Sequence, residues 1–156
     1  MRVRRFGPHV FAAFIALLLV LVSGHLALAK QLAPGEVGGR PLYATLTGAA
    51  EAPGPGDPDG SGSAVVTLNQ GQGVVCFDIE VAGIDQVIAA HIHVAPVGVA
   101  GPVVVNFNPA VNGLRNCVSG VDPELVKAIR QNPANYYVNV HTTAFPAGAV
   151  RGQLGK

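Results

Sequence analysis

Two short apolar segments of the chain carry histidines at alternating positions. They read His91-Ile92-His93 and Asn139-Val140-His141. In a β-strand, residues i and i+2 point to the same face, so each segment places its polar side chains together, away from its more apolar face. If the two strands are neighbours in a sheet, the three imidazoles converge. Three neutral imidazoles suit copper or zinc and leave a position open for water, so His91, His93 and His141 are the candidate metal ligands.

A structural role for the same three histidines is the alternative interpretation. Imidazole rings at a loop rim also hydrogen-bond backbone carbonyls or carboxylates and so organise the fold. Sequence alone does not distinguish the two roles, because a His-x-His pair is a weak signal and the contact between the two segments is not visible in it.

Other catalytic groups are poorly supported by the sequence. Ser61, Ser63 and Ser119 lie in turn-like contexts without the G-x-S-x-G pattern of a nucleophilic serine. Asp78 and Glu80 are expected to face solvent from a strand, which does not suit two-carboxylate chemistry. The sequence therefore favours a protein without enzymatic activity.

Short β-type segments separated by turn residues must position the histidines. Apolar and polar residues alternate most clearly in Val74–Ala82, which indicates a strand with one buried face. Seven strands are predicted in all, at Pro41–Thr47, Gly62–Asn69, Val74–Ala82, Val87–Val94, Pro102–Phe107, Asn135–Thr142 and Ala149–Leu154. Such a series is typical of an all-β antiparallel sandwich or barrel. One short helix is predicted over residues 122–131, where Asp122 is the N-cap and Pro123 the first helical residue.

The N-terminal segment predicts export. Arginines at positions 2, 4 and 5 precede an uninterrupted apolar run over Val10–Val22, and Ala27-Leu28-Ala29 supplies a small-x-small cleavage site. Together these features describe a secretory signal peptide over residues 1–29. A retained membrane anchor is the alternative, but it needs about 18 or more apolar residues. We therefore expect a secreted or extracytoplasmic protein, with a flexible lead-in at 30–40 and one domain at 41–156.

The charge of the mature chain excludes one class of partner. Three of the ten basic residues belong to the predicted leader, whereas all nine acidic residues follow it. The remaining chain is weakly acidic and contains no basic run, which excludes a protein that binds nucleic acid by electrostatic attraction. Once the leader is cleaved, no membrane partner is expected either.

Two cysteines, Cys76 and Cys117, are the only ones in the sequence. An exported chain meets an oxidising compartment, so this even number predicts a disulfide bond. A metal–thiolate site is the alternative, but two cysteines this far apart lack the CxxC spacing of such sites.

Three segments resemble the CHRD domain, the module named after chordin and found alone in many secreted bacterial proteins. They are LTGAAEAPGP at 46–55, AAHIHVAPVGVAGPVVV at 89–105 and YYVNVHTTAFPAGAVRGQL at 136–154. The resemblance extends over about Leu42 to Leu154, and the third segment is its most specific part. The cysteine pair is similar to that of a subset of single-domain bacterial members.

The resemblance implies an immunoglobulin-like or copper-zinc superoxide dismutase-like Greek-key β-sandwich. The positions that match the family's motif are Glu51, His91, His93, Gly101, Asn139, His141, Arg151 and Gly152. Arg151 interrupts an apolar closing strand and Glu51 is the acid of the first segment, so the two are predicted to form a structural ion pair. Such a pair fixes strand register more than it adds net stability.

The resemblance implies an extracellular binding or structural module whose ligand or protein partner is unidentified. The alternative from the residues is a protein that binds copper or zinc through three histidines and is redox-active if the metal is copper. A looser likeness to copper-zinc superoxide dismutase lacks the bridging histidine and a full zinc ligand set. Dismutase activity is therefore not expected.

Overall fold

The computed structural model describes residues 39–109 and 113–156 as an antiparallel β structure with one α-helix. Its eight strands are β1 (Leu42–Thr47), β2 (Ser61–Asn69), β3 (Val74–Ala82), β4 (Val87–Val94), β5 (Val103–Asn106), β6 (Arg115–Val118), β7 (Tyr136–Thr142) and β8 (Val150–Gln153). The all-β prediction is confirmed. The predicted leader at 1–29 and residues 30–38 of the predicted lead-in lie outside the described residues.

All eight strands belong to one hydrogen-bonded sheet, in the order β5-β4-β7-β8-β1-β2-β3-β6. The sheet curves until it is nearly a barrel. Phe77 of β3 stacks on Phe107, which follows the edge strand β5, with 4.1 Å between the ring centres. Near the middle of the sheet, the pairing of β1 with β8 is narrow, with Thr47 opposite Arg151 as its single register pair. The interior between the two halves of the sheet holds the core.

Apolar side chains from both halves fill that core. The alternation predicted for the third strand is confirmed for Val75, Phe77 and Ile79, which are at most 4% exposed, and for Glu80, which faces solvent. Cys76 departs from it, because this residue is fully buried and forms a disulfide bond. The other strands and the helix contribute Leu42, Leu46, Val66, Leu68, Ala90, Ile92, Val105, Val126, Ile129, Val138, Val140 and Val150. Burial of this apolar area, worth about 25 cal/mol per Å², is what holds β4 and β7 in the positions that the histidines need.

The helix, α1 (Pro123–Gln131), confirms the prediction from capping residues. The Asp122 carboxylate accepts a hydrogen bond from the Glu124 backbone N–H at 2.9 Å, which satisfies a donor that has no partner within the helix. Val126 and Ile129 point into the core. Within the residues that the structure describes, no helix has the length and apolar content needed to cross a membrane.

The disulfide bond between Cys76 and Cys117 is confirmed. It joins β3 to β6, in which the two cysteines are direct register partners. The next ladder position but one pairs Asp78 with Arg115 in an ion pair. The edge strand β6, which the sequence analysis did not predict, is thus held to β3 by a covalent bond as well as by its backbone.

Candidate metal centre

The pairing of β4 with β7 brings the three histidines together. His91 lies opposite Asn139, His93 opposite Tyr137 and His141 opposite Ala89. One nitrogen from each histidine ring lies within 4.8 Å of the corresponding atoms of the other two. The convergence depends on the two strands being neighbours, which the sequence analysis had to assume.

His93 is oriented by the loop that follows β4. Its Nδ1–H donates a hydrogen bond to the Gly101 carbonyl oxygen at 2.8 Å, and because a carbonyl only accepts, the proton of the neutral ring is on Nδ1. The Nε2 atom therefore carries the lone pair. It is buried without a hydrogen-bond partner, in a side chain that is 9% exposed. A buried nitrogen with a free lone pair, held by a carbonyl on the opposite side of its ring, is the usual state of a histidine that binds metal.

His141 is held in the same manner by a different loop. Its Nδ1–H donates to the Pro146 carbonyl at 3.1 Å, which leaves the Nε2 lone pair for another partner. That atom lies 3.1 Å from His91 Nδ1. Because His141 Nε2 carries no proton, the His91 Nδ1–H donates to it. A metal ion with nitrogen ligands at about 2.0–2.1 Å would take the place of that proton.

The three imidazole rings are uncharged at neutral pH, because their surroundings lower the pKa of each. Burial lowers the pKa of His91 to about 4, helped by the charges that His141 and His93 would carry. Burial is also the main cause that lowers the pKa of His93, with a smaller contribution from the Arg151 charge. The pKa of His141 is lowered by burial as well. At neutral pH the cluster therefore presents neutral imidazoles, which is the form that binds metals.

Gly101 cannot carry a side chain in this position. A Cβ atom there would lie 2.0 Å from the Val94 carbonyl oxygen. The same residue donates its backbone N–H to the Tyr137 hydroxyl oxygen at 3.1 Å while its carbonyl accepts from His93. Gly101 thus brings the loop close to β4 and links it to two neighbouring side chains of the cluster.

Tyr137 and Arg151 continue the cluster across β7. The Tyr137 ring stacks on His93 with 4.8 Å between ring centres and 8° between planes. On β8, the Arg151 guanidinium lies 3.4 Å from the centre of the Tyr137 ring. Arg151 is 2% exposed, and it donates hydrogen bonds to the carbonyl oxygens of Pro96 and Val99. Those bonds fix the loop that also contains Gly101.

Glu51 and Arg151 interact through their charges, and their hydrogen bonds go to other groups. Glu51 accepts from the Asn139 side-chain amide, whereas Arg151 donates to the two loop carbonyls. The ion pairs within the described residues are Asp78–Arg115 and Glu124–Lys127. The expected pair of Glu51 and Arg151 is thus an indirect electrostatic contact. The two side chains form no direct ion pair because Asn139, the register partner of Arg151, lies between them.

Gly152, the last of the motif positions, has a structural role in the packing of two strands. A Cβ atom there would lie 2.2 Å from the Thr45 carbonyl oxygen of β1. The absence of a side chain lets β8 approach β1 at the narrow joint. Sequence reasoning missed Tyr137 and Pro146. The sequence did contain a signal for Tyr137, because it lies two residues before Asn139 and therefore on the same face of the strand. No sequence pattern pointed to the carbonyl of Pro146.

Replacing Glu51 with glutamine is expected to stabilise the protein increasingly as the pH rises. Burial raises the pKa of Glu51 from 4.5 to about 7, against the lowering influence of Arg151. The protonated side chain therefore stabilises the fold below about pH 4.5, and this contribution is lost as the pH rises through about 7. Glutamine resembles the protonated acid at every pH. Glu51 is partly exposed, so we expect a relative gain of about 1 kcal/mol after allowance for solvent screening.

Urea unfolding at a series of pH values measures this effect. Glu80→Gln removes a carboxylate from the exposed end of β3 and is the matched control. Parallel curves for the two variants would show that Glu51 has no special pH dependence.

Comparison with known proteins places the chain in a family without naming a close relative. Neither the curated proteins nor the solved structures contain a significant match. The model of the CHRD domain family, by contrast, matches residues 42–154. That range contains all eight strands, the disulfide bond and the three histidines. The chain is therefore a member of the CHRD domain family.

Proposed function

We propose that this CHRD domain is a metal-binding module in which His91, His93 and His141 bind one copper or zinc ion. The observation that supports it most directly is the buried, unpartnered Nε2 of His93. The ring is held from the other side by the Gly101 carbonyl. A polar atom left without a partner inside a protein costs free energy, and a metal ion removes that cost.

The hydrogen bonds of the cluster support the same function. Backbone carbonyls hold two of the three rings by Nδ1, so the Nε2 lone pairs of His93 and His141 are both directed away from those carbonyls. His141 Nε2 accepts from His91 Nδ1, whereas His93 Nε2 has no partner. A purely structural histidine cluster would satisfy both nitrogens of every ring, and His93 departs from that pattern. Three nitrogen ligands leave a position for water or a small ligand.

Metal analysis of the purified protein tests this function. We expect one equivalent of copper or zinc per chain after loading and dialysis. His93→Ala and His141→Ala should each weaken binding by at least about 100-fold, since loss of a ligand exceeds the cost of losing an outer hydrogen bond. Thr143→Ala, which changes an exposed residue of the loop after β7, is the matched control. Absence of stoichiometric metal, or equal binding by all variants, would leave the structural role for the histidines.

We also propose that the protein acts outside the cytoplasm. The predicted signal peptide at 1–29 supports this location, and the Cys76–Cys117 disulfide bond agrees with an oxidising compartment.

A second candidate function is contact with an extracellular partner. Three valines beside the histidine cluster are exposed, namely Val97, Val99 and Val103, at 75%, 50% and 47%. They lie on the loop before β5 and on β5 itself, which is an edge strand. Apolar side chains grouped at an edge favour a protein partner.

We infer a two-sheet Greek-key sandwich, with β5-β4-β7-β8 as one sheet and β1-β2-β3-β6 as the other. The narrow joint supports it, since β1 and β8 have one register pair whereas β1 and β2 have six and β4 and β7 have seven.

A further inference from the structure

We propose that the centre selects a monovalent ion, Cu(I), over divalent ions because the buried charge of Arg151 lies directly behind the His93 ring. This inference rests on the proposed metal site and narrows its occupant. Neither the family nor the three ligands themselves determine the oxidation state of the metal.

The first step is the position of the charge. Because β7 lies between β4 and β8 in the sheet, His93 and Arg151 flank Tyr137 from opposite sides. The ring centres of His93 and Tyr137 are 4.8 Å apart, and the guanidinium carbon is 3.4 Å from the Tyr137 centre. A single aromatic ring therefore separates the cation from a metal ligand.

The second step is that this charge is permanent and only partly compensated. A guanidinium stays protonated in proteins, and this one is 2% exposed, so water screens it little. Its hydrogen bonds go to the neutral carbonyls of Pro96 and Val99. Glu51 is the acidic group that interacts with it, and that carboxylate hydrogen-bonds to Asn139 instead.

The third step is the charge of the ligand set. The grouping of possible metal ligands found in the described part of the chain contains histidines and no carboxylate or thiolate. Divalent sites commonly include anionic ligands, which offset the charge of the ion. Here the ligands contribute no negative charge, and the buried charge that acts on His93 is positive.

Coulomb's law gives the size of the effect. A dication is repelled by Arg151 twice as strongly as a monocation. With one ring between the groups and an effective dielectric constant of about 20 to 30, the additional repulsion corresponds to a preference of up to about tenfold. Three neutral nitrogens also satisfy Cu(I), whose binding needs no further charged ligand.

Competition titrations of the full-length mature protein test this proposal with Cu(I) and Cu(II). Ag(I) and Zn(II) serve as monovalent and divalent ions that do not change oxidation state under these conditions. Arg151→Gln removes the charge and keeps a hydrogen-bonding side chain, whereas Arg151→Lys keeps the charge. Glu51→Gln removes the partly compensating carboxylate and acts in the opposite direction, so the test does not depend on one buried position.

We expect the wild type to bind Cu(I) more tightly than Cu(II) and Ag(I) more tightly than Zn(II). Arg151→Gln should reduce the first ratio about tenfold and lower the reduction potential of the bound copper by about 59 mV. Arg151→Lys should leave the ratio within about threefold of the wild type, and Glu51→Gln should increase it.

Two outcomes would overturn the proposal in different ways. If Arg151→Gln and Glu51→Gln change the affinities for monovalent and divalent ions equally, Arg151 is only structural, and metal binding itself still stands. If no variant and no wild-type sample binds any of the four ions, both the inference and the proposed function are wrong.

Discussion

Gly101→Ala is expected to lower the free energy of unfolding by about 3 kcal/mol and to weaken metal binding about 10- to 100-fold. The stability loss follows from the backbone contact, because the new Cβ would lie 2.0 Å from the Val94 carbonyl oxygen. That oxygen belongs to a strand and has little freedom to move, so the loop must shift instead. Overpacking of this kind costs about 1–3 kcal/mol or more.

The loss of affinity has a separate cause. A shifted loop takes the Gly101 carbonyl away from His93 Nδ1 and its N–H away from the Tyr137 hydroxyl. Loss of the outer hydrogen bond that orients a metal-binding histidine costs about 10- to 100-fold in affinity. Thermal unfolding and metal competition titration measure the two effects.

Gly98 provides a matched control in the same loop. It has a φ of +75°, but a Cβ there would meet no atom within 4 Å. Gly98→Ala should therefore cost only about 1 kcal/mol for its left-handed backbone and leave metal affinity unchanged. If the two variants behave alike, the close approach of Gly101 to β4 has no role in the site.

Replacing both Cys76 and Cys117 with alanine is expected to lower the free energy of unfolding by about 4 kcal/mol. The bond closes a long loop, since its cysteines are 41 positions apart, and removing it restores entropy to the unfolded chain. The edge strand β6 has few other anchors, because it is four residues long and pairs with β3 alone. Denaturant unfolding of the variant, compared with the wild type under reducing and oxidising conditions, measures the effect.

Arg115→Ala is the control at the same pair of strands. It removes the ion pair with Asp78, whose arginine side chain is 64% exposed, so we expect a loss of less than about 1 kcal/mol. Metal affinity should survive in both variants, because the hydrogen bonds and ring contacts of the three histidines involve no residue of β3 or β6. A variant without the disulfide that folds but binds metal poorly would contradict this separation.

The fold was largely predictable because seven of its strands alternate or are bounded by turn residues. β6 escaped prediction for a physical reason. None of its four residues, RNCV, is fully buried, so its sequence shows no alternation between an apolar and a polar face. The disulfide bond and the Asp78–Arg115 pair hold it instead.

A local irregularity also limited the prediction for β4. Simple alternation would place Ile88 on the same face of the strand as the buried Ala90 and Ile92, yet it is 44% exposed. The register with β7 shifts between Val87 and Ala89, and this bulge turns Ile88 outward. A shift of one residue reverses the faces of a strand, and alternation alone does not locate it.

The grouping of the three histidines was predictable from the sequence, whereas the groups that surround them were not. Alternation within a strand indicated that His91 and His93 share one face, and that His141 lies on the more polar face of its own strand. The partners of Arg151 were not predictable, because backbone carbonyls such as that of Pro96 leave no mark on composition or period. The sequence predicted Glu51 as the partner of Arg151. In the fold, the Arg151 guanidinium instead donates hydrogen bonds to loop carbonyls and contacts the Tyr137 ring.

The place of β8 in the sheet couples completion of the sheet to the site. β8 follows the other seven strands in the sequence, yet it lies inside the sheet between β7 and β1. It therefore joins the strands that carry the histidines to the strands that carry the disulfide bond. The same strand carries Arg151, whose hydrogen bonds fasten the loop at Pro96 and Val99. Docking of this one four-residue strand thus completes the sheet and fastens the loop beside His93 at the same time.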